Sequence, residues 1–324
     1  MQYRQLGKTG LKISEIGYGA WGIGGGWGPK DDDTALESLR KAFELGVNFY
    51  DTALAYGEGH SEALIARAFK HDRQAIVIAS KIPPKTGYWP ARPTDRLEDI
   101  FPVDWIIQCT EKSLKNLQTD CLDLQQLHAW SDHYTHQAEW HEALETLKKQ
   151  GKIRAYGVSA NDWDPYGAVN LVKADLVDSV QVIYNIFEQR PEEQLLPAAL
   201  EHQVGILARV PFEEGLLSGA IRPGHRFAAG DWRADWLTPE RLEEAGRRVE
   251  ALKVFLAEDR PNLAILALKF ILSHPAVTAT IPGMRTTAHV KEDVAASDGK
   301  LLDAETLNSL KKHAFAHGWA YPWS

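Results

Sequence analysis

An aspartate, a tyrosine, a lysine and a histidine stand at equivalent places along this chain, each at or just beyond the end of a short apolar run. Asp51 ends "VNFYD", Tyr56 follows in the glycine-bounded "AYGEG", Lys81 ends "IASK" and His128 ends "QQLH". Such runs read as buried strands, and in a parallel α/β protein the C-terminal strand ends share one rim where chemistry collects. Singly, each residue has an ordinary explanation: a solvated lysine, a hydrogen-bonded histidine, an aspartate capping a turn. Together they suit one reaction, delivery of a proton to a carbonyl oxygen while hydride reaches its carbon. A free phenol has a pKa of about 10, so Tyr56 is a weak acid until an ammonium such as Lys81 stabilises the phenolate it leaves. Asp51 would keep that ammonium charged in a dry pocket. A neutral His128 would hold and orient the carbonyl oxygen.

These positions require a scaffold. "YRQLGKTGLKIS" suits a hairpin turning at "GKTG", and Glu15 to Gly19 suits a first strand entering a glycine-rich loop. Helical segments such as "DDTALESLRKAFELG", with an acidic start and a glycine stop, then alternate with strands. "AIVIAS" and "VGILA" are apolar throughout, as strands covered on both faces must be. The pattern predicts a single domain over residues 1–324: an α/β fold, a (β/α)8 TIM barrel with an N-terminal β-hairpin and a C-terminal helix. An open doubly wound sheet is the rival, but "GYGAWGIGG" enters a loop rather than a helix and lacks the dinucleotide fingerprint. The long insert "SGAIRPGHRFAAGDWRADWLTPERLEE" is expected to lie over the barrel mouth.

Composition narrows the partners. Of 324 residues, 44% are hydrophobic and 25% charged, the balance of a globular protein with a sizeable core. A net charge of -8 without a basic run argues against nucleic acid and anionic membrane surfaces. Cys109 and Cys121 fit neither a disulfide framework nor a metal spacing, so no metal is expected. No leader or membrane-spanning run stands out, and a cytoplasmic protein is the expectation.

With these residues in place, the chain resembles the aldo-keto reductases, NADP(H)-dependent oxidoreductases built on this barrel. The likeness runs from the N-terminal hairpin to about Val294, carried by "GVNFYDTALAYGEGHSE", "IASK", "QLH", "GVSAND", "VQVIYNIFEQ", "EEGLLSG" and "TIPGMRTT". It implies the catalytic set Asp51, Tyr56, Lys81 and His128. It also implies Ser159, Asn161 and Gln181 at the nicotinamide carboxamide, and Pro211, Phe212, Gly215 and Leu217 in the loop over the pyrophosphate. In that loop Glu213 and Glu214 are expected to face solvent. Gly19, Ala20 and Trp21 complete the contacts near the ring. Arg285, with Thr286 or Thr287, would hold a 2'-phosphate at a helix start, and Glu292 and Asp293 would face the adenosine. Arg209 departs from the family pattern, where an aromatic residue stacks on the nicotinamide. It either stacks there itself or pairs with Glu188 or another rim acid.

Around the mouth, Trp21, Tyr88, Trp89 and Trp130 are expected to meet substrate, with Trp232 or Trp236 from the insert. The implied activity is NADPH-dependent reduction of aldehydes, ketones or open-chain sugars. A sugar or cyclitol dehydrogenase using the same residues in reverse is the alternative, and a non-enzymatic redox-sensing NADPH-binding subunit the third. A small carbonyl or polyol is the expected partner, and the oligomeric state is left open.

Overall fold

The computed structural model describes residues 1–25, 31–87, 89, 92, 94–162, 164–319 and 321. Strands β1 (Tyr3–Gln5) and β2 (Lys12–Ser14) pair antiparallel as the N-terminal hairpin. Eight further strands run parallel in chain order: β3 (Tyr18–Gly19), β4 (Phe49–Asp51), β5 (Val77–Ile82), β6 (Leu122–Trp130), β7 (Ile153–Ala160), β8 (Ser179–Ile183), β9 (Gly205–Arg209) and β10 (Val277–Thr280). Bridges Ile16–Thr280 and Gly19–Gly283 join the first strand region to the last, and the Gly17 and Gly19 amides donate to Thr280 and Pro282 at 2.8 and 2.9 Å. The ring is therefore closed, as the alternating pattern predicts. A Cβ at Gly19 would lie 2.6 Å from the Ile281 carbonyl oxygen, so the seam needs a residue without a side chain there.

Side chains of a strand alternate in direction, so residues two apart share a face. The inward face of β4 carries Phe49 then Asp51; that of β5 carries Val77, Ala79 and Lys81; that of β6 carries Leu124, Gln126 and His128. The lower members of these rows, Phe49, Val77, Ala79 and Leu124, pack with Ala155, Leu207 and Ala279 against Leu6, Leu11 and Ile13 of the hairpin. The hairpin thus plugs the N-terminal end of the barrel with hydrocarbon. Register carries the upper members to a common level: Asp51 lies opposite Ala79, Lys81 opposite Gln126, His128 opposite Ser159, and Ser159 opposite Gln181.

Helices cover the outside with one apolar stripe each, as in Val103–Asn116, which buries Ile106, Cys109, Thr110, Ser113 and Leu114. Leu263–Leu272 is buried on every residue, because β10, the turns at 213–218 and 252–255 and the helix Thr287–Val294 pack around it. The insert is more ordered than its sequence suggests. Pro239–Ala251 is a helix started by Thr238, whose hydroxyl accepts from the Arg241 amide, and it buries Leu242, Ala245 and Val249. Beyond the last helix the chain turns back across the barrel top: the Phe315 amide donates to the Phe187 carbonyl at 2.8 Å.

Candidate active site

The four residues singled out first converge. Lys81 Nζ donates to Asp51 Oδ1 at 2.5 Å and to the Thr52 carbonyl at 2.8 Å, and lies 3.3 Å from the Tyr56 hydroxyl. The far oxygen of Asp51 accepts from Gln181 Nε2 at 2.8 Å. Both charges of the pair are buried, so each is held by hydrogen bonds as well as by the other. The Tyr56 and His128 rings meet edge to face at 5.9 Å. Tyr56 comes from the loop after β4, where Gly57 adopts φ 63° and a Cβ on it would lie 2.4 Å from the Gly24 carbonyl oxygen. Gly57 and, facing it, Gly24 lack side chains where the two loops touch.

Electrostatics divide the set. Burial presses the Lys81 ammonium downward, but the Asp51 charge and the bonds to Asp51 and Tyr56 outweigh it, and its pKa is raised. Burial pushes the Tyr56 phenol up and prevails over the lowering by Lys81. The sequence expectation had the ammonium winning; in the closed pocket desolvation is larger, and the phenol keeps its proton at neutral pH. Burial, followed by the Lys81 and Arg209 charges, holds His128 well below the ordinary imidazole range, hence neutral. Its Nδ1 is buried without a hydrogen-bond partner among the described residues.

Arg209, at the end of β9, takes the second of its two expected roles. Its guanidinium donates to Asp162 Oδ1 at 2.8 Å and to the Ala160 carbonyl at 3.0 Å. Glu188 is held instead by Arg190 Nε at 2.8 Å.

The residues expected at the cofactor are spread along the same rim. Ser159 Oγ is buried with no partner among the described residues, a hydroxyl suited to an incoming carboxamide. Asn161, two residues further along the chain, is also buried. The Gly19–Ala20–Trp21 segment adjoins Asp51, whose carbonyl accepts from the Ala20 amide at 2.9 Å. Pro211, Phe212, Gly215 and Leu217 belong to the turn region after β9, where Glu213, Glu214 and Gly215 have φ of 45°, 55° and 103°.

That turn overturns one expectation. Glu213 is wholly buried, accepts from Asn185 Nδ2 at 2.7 Å and pairs with His317 Nε2 at 3.0 Å. Glu214 accepts from the Tyr321 hydroxyl at 2.9 Å, and burial together with the Glu213 charge pushes its carboxyl up to about 7. Glu213 is closed off from solvent and Glu214 is half-buried with its carboxyl turned onto Tyr321, because the C-terminal tail folds over them. No strand or helix pattern marks His317 and Tyr321 in the sequence, and this contact was not foreseen.

Past β10, Thr286 caps the helix Thr287–Val294 by accepting from the His289 amide at 3.3 Å, with Arg285 just before it. Glu292 accepts from Asn262 Nδ2 at 2.8 Å. Asp293 is buried, with Oδ2 unpartnered among the described residues, and burial raises its carboxyl well above the ordinary range. A neutral carboxyl there could both donate to and accept from a base. Helix start, arginine and these orphaned polar atoms fit an anionic dinucleotide laid across the rim.

Of the aromatic residues expected at the mouth, Trp89 stands over His128 with ring centroids 4.1 Å apart, and Trp21 meets Trp232 at 6.4 Å. Tyr88 lies outside the described residues. Trp130 is a correction: it is wholly buried, packed on Tyr134 and Trp140 at 5.5 and 4.9 Å. Regular alternation would point it inward with His128, but Ala129 adopts φ 65° and the register shifts between His128 and Trp130. That bulge turns the next side chain outward. Trp236 likewise belongs to packing, buried against Tyr321 and Trp319.

Comparison with known proteins agrees with this geometry. Residues 15–314 match the Aldo/keto reductase family. The aldo-keto reductase YhdN of Bacillus subtilis is 32% identical, over 96% of this chain and 92% of its own. The uncharacterized oxidoreductase YqkF of the same organism is 30% identical, over 97% and 96%. The holo form of aldo-keto reductase AKR11C1 from Bacillus halodurans superposes with a TM-score of 0.78 at 31% identity, over 98% of this chain and 97% of its own.

Proposed function

The chain belongs to the aldo/keto reductase family, hence to oxidoreductases that use a nicotinamide cofactor, and on that premise we propose that it reduces aldehydes, ketones or open-chain sugars with NADPH. The observation that carries this reading is the buried chain Asp51–Lys81–Tyr56, with the lysine 2.5 Å from one and 3.3 Å from the other. When bound, the dinucleotide supplies the hydride. Ser159 and Asn161 would orient its carboxamide, and Arg285 with Thr286 would favour a 2'-phosphate over a bare ribose.

A carbonyl oxygen seated between Tyr56 and neutral His128 accepts one hydrogen bond from each. As negative charge grows on that oxygen, Tyr56 Oη passes its proton across. Lys81, only 3.3 Å away, stabilises the phenolate left behind. Asp51 and Gln181 keep the ammonium fixed without moving during the step. Because the raised phenol is protonated at neutral pH, the resting site is set for reduction. Alcohol oxidation by the same residues needs phenolate and rises with pH.

The test is absorbance assays of carbonyl and polyol panels with NADPH and NADH. Tyr56→Phe should abolish turnover and leave dinucleotide binding intact. Full activity in that variant would remove the mechanism, and equal use of both dinucleotides by wild type and Arg285→Ala would remove the cofactor assignment.

A further inference from the structure

Arg209 ends β9 and Trp89 lies in the segment after β5, and they carried different expectations, one beside the nicotinamide and one over the substrate. A single carboxylate joins them. Asp162, in the loop after β7, accepts from Arg209 Nη2 on Oδ1 at 2.8 Å and from Trp89 Nε1 on Oδ2 at 3.0 Å. The Trp89 ring in turn meets the His128 ring nearly perpendicular, at 83° and 4.1 Å. We propose that Asp162 is a positioning residue that locks the cofactor side and the substrate side of the site to one another, through Arg209 on one oxygen and Trp89 on the other. The inference rests on the reductase reading above and deepens it.

The chemistry requires an ionised carboxylate. Only a side chain with two acceptor oxygens and no donor can serve two N–H groups that approach from opposite sides. The Asp162 side chain is 5% exposed and that of Arg209 15%, so water competes weakly and removal of either partner strands a desolvated charge. An indole fixed through its N–H can keep one edge against His128, which in turn fixes the imidazole that must meet the carbonyl oxygen.

The same pairing changes what Arg209 does. Its charge is already matched by a carboxylate, so beside a bound nicotinamide it would not by itself repel the cationic oxidised ring. Removing the carboxylate charge would unmask that repulsion.

Two measurements test the two arms on the full-length protein. In the first, the Trp89 indole N–H, assigned with Trp89→Phe, is followed by ¹⁵N NMR. It should be displaced downfield and slow to exchange, and Asp162→Ala should move it upfield and speed exchange. In the second, dinucleotide dissociation constants are measured by fluorescence. Asp162→Asn should weaken NADP+ about 10-fold more than NADPH, the scale of an unmatched charge in a partly desolvated site. Where turnover is available, Asp162→Ala and Trp89→Phe should each raise KM for the carbonyl more than they lower kcat, and the double variant should do no worse than the poorer single one.

An unmoved indole resonance, an unchanged NADP+ to NADPH ratio, or multiplicative effects in the double variant would each overturn the proposal. Should Asp162→Ala fold poorly, Asp162→Asn replaces it in the first measurement, since an amide that keeps its oxygen toward the Arg209 charge turns its NH2 toward the Trp89 N–H. Failure of the reductase reading is separate: wild type would turn over neither carbonyls nor polyols, while the indole and binding measurements would still report on Asp162.

Discussion

The two ends of the barrel are made by the same strands and differ in nearly every physical respect. At the N-terminal end the inward residues of β4, β5 and β6 are Phe49, Val77 and Leu124, sealed by Leu6, Leu11 and Ile13 of the hairpin. At the C-terminal end, two to four residues further along the same strands, they are Asp51, Lys81 and His128, all buried. Burial of hydrocarbon is favourable by about 25 cal/mol per Å², whereas burial of each charge is unfavourable until a partner and hydrogen bonds offset it. One end supplies stability and the other consumes it, and the inward pitch of two residues is what lets a single strand do both.

The sharpest way to break this contrast is to remove the charge at its centre. Lys81→Met should abolish turnover and also destabilise the protein by about 3–5 kcal/mol, because Asp51 is left buried and unpaired. Adding Asp51→Leu should return most of that stability while leaving the enzyme inactive, as read by denaturant melts and single-turnover assays. A double variant no more stable than Lys81→Met would mean that the rim charges are not in opposition to stability.

The opposite experiment is Leu124→Ala. A cavity in the plug should cost about 2–5 kcal/mol while kcat and KM of the folded fraction stay near wild type. A large change in KM would show that the two ends are mechanically coupled.

A smaller effect is expected where the tail covers the rim. The folded Glu214 carboxyl lies at about 7, above the ordinary 4.5. The native state therefore binds its proton more tightly than the unfolded chain, and the associated stability is full below about pH 4.5 and lost as pH rises through about 7. Glu214→Gln should leave Tm unchanged near pH 4.5 and raise it by about 2 °C at pH 8.5. A pH-independent difference would place the carboxyl outside the buried cluster.

How much of this was legible in the sequence depended on whether a local rule held without interruption. Asp51, Lys81 and His128 could be read because each closes an apolar run at or within two residues of its strand's end, and Tyr56 because glycines follow it. Trp130 could not, since one left-handed residue, Ala129, reverses the alternation and nothing in "HAW" announces it. The helix Pro239–Ala251 had a readable start, with threonine before proline and apolar residues at helical spacing, but the Gly- and Arg-rich run ahead of it dominated the reading. Partners distant in sequence were the least accessible. That Arg209 meets Asp162, and that Glu213 meets His317, follows from how loops and tail cross above the barrel.

The seam between Ile16 and Thr280 carries a further consequence. It ties together residues from the two extremes of the chain, and such distant contacts form late because the intervening polymer must first lose its freedom. During synthesis the first strand region and the hairpin emerge long before their closing neighbours exist. Until then the growing sheet has two raw borders, and the ribosome-bound intermediate is the stage at which this protein is most exposed to sticking to other chains.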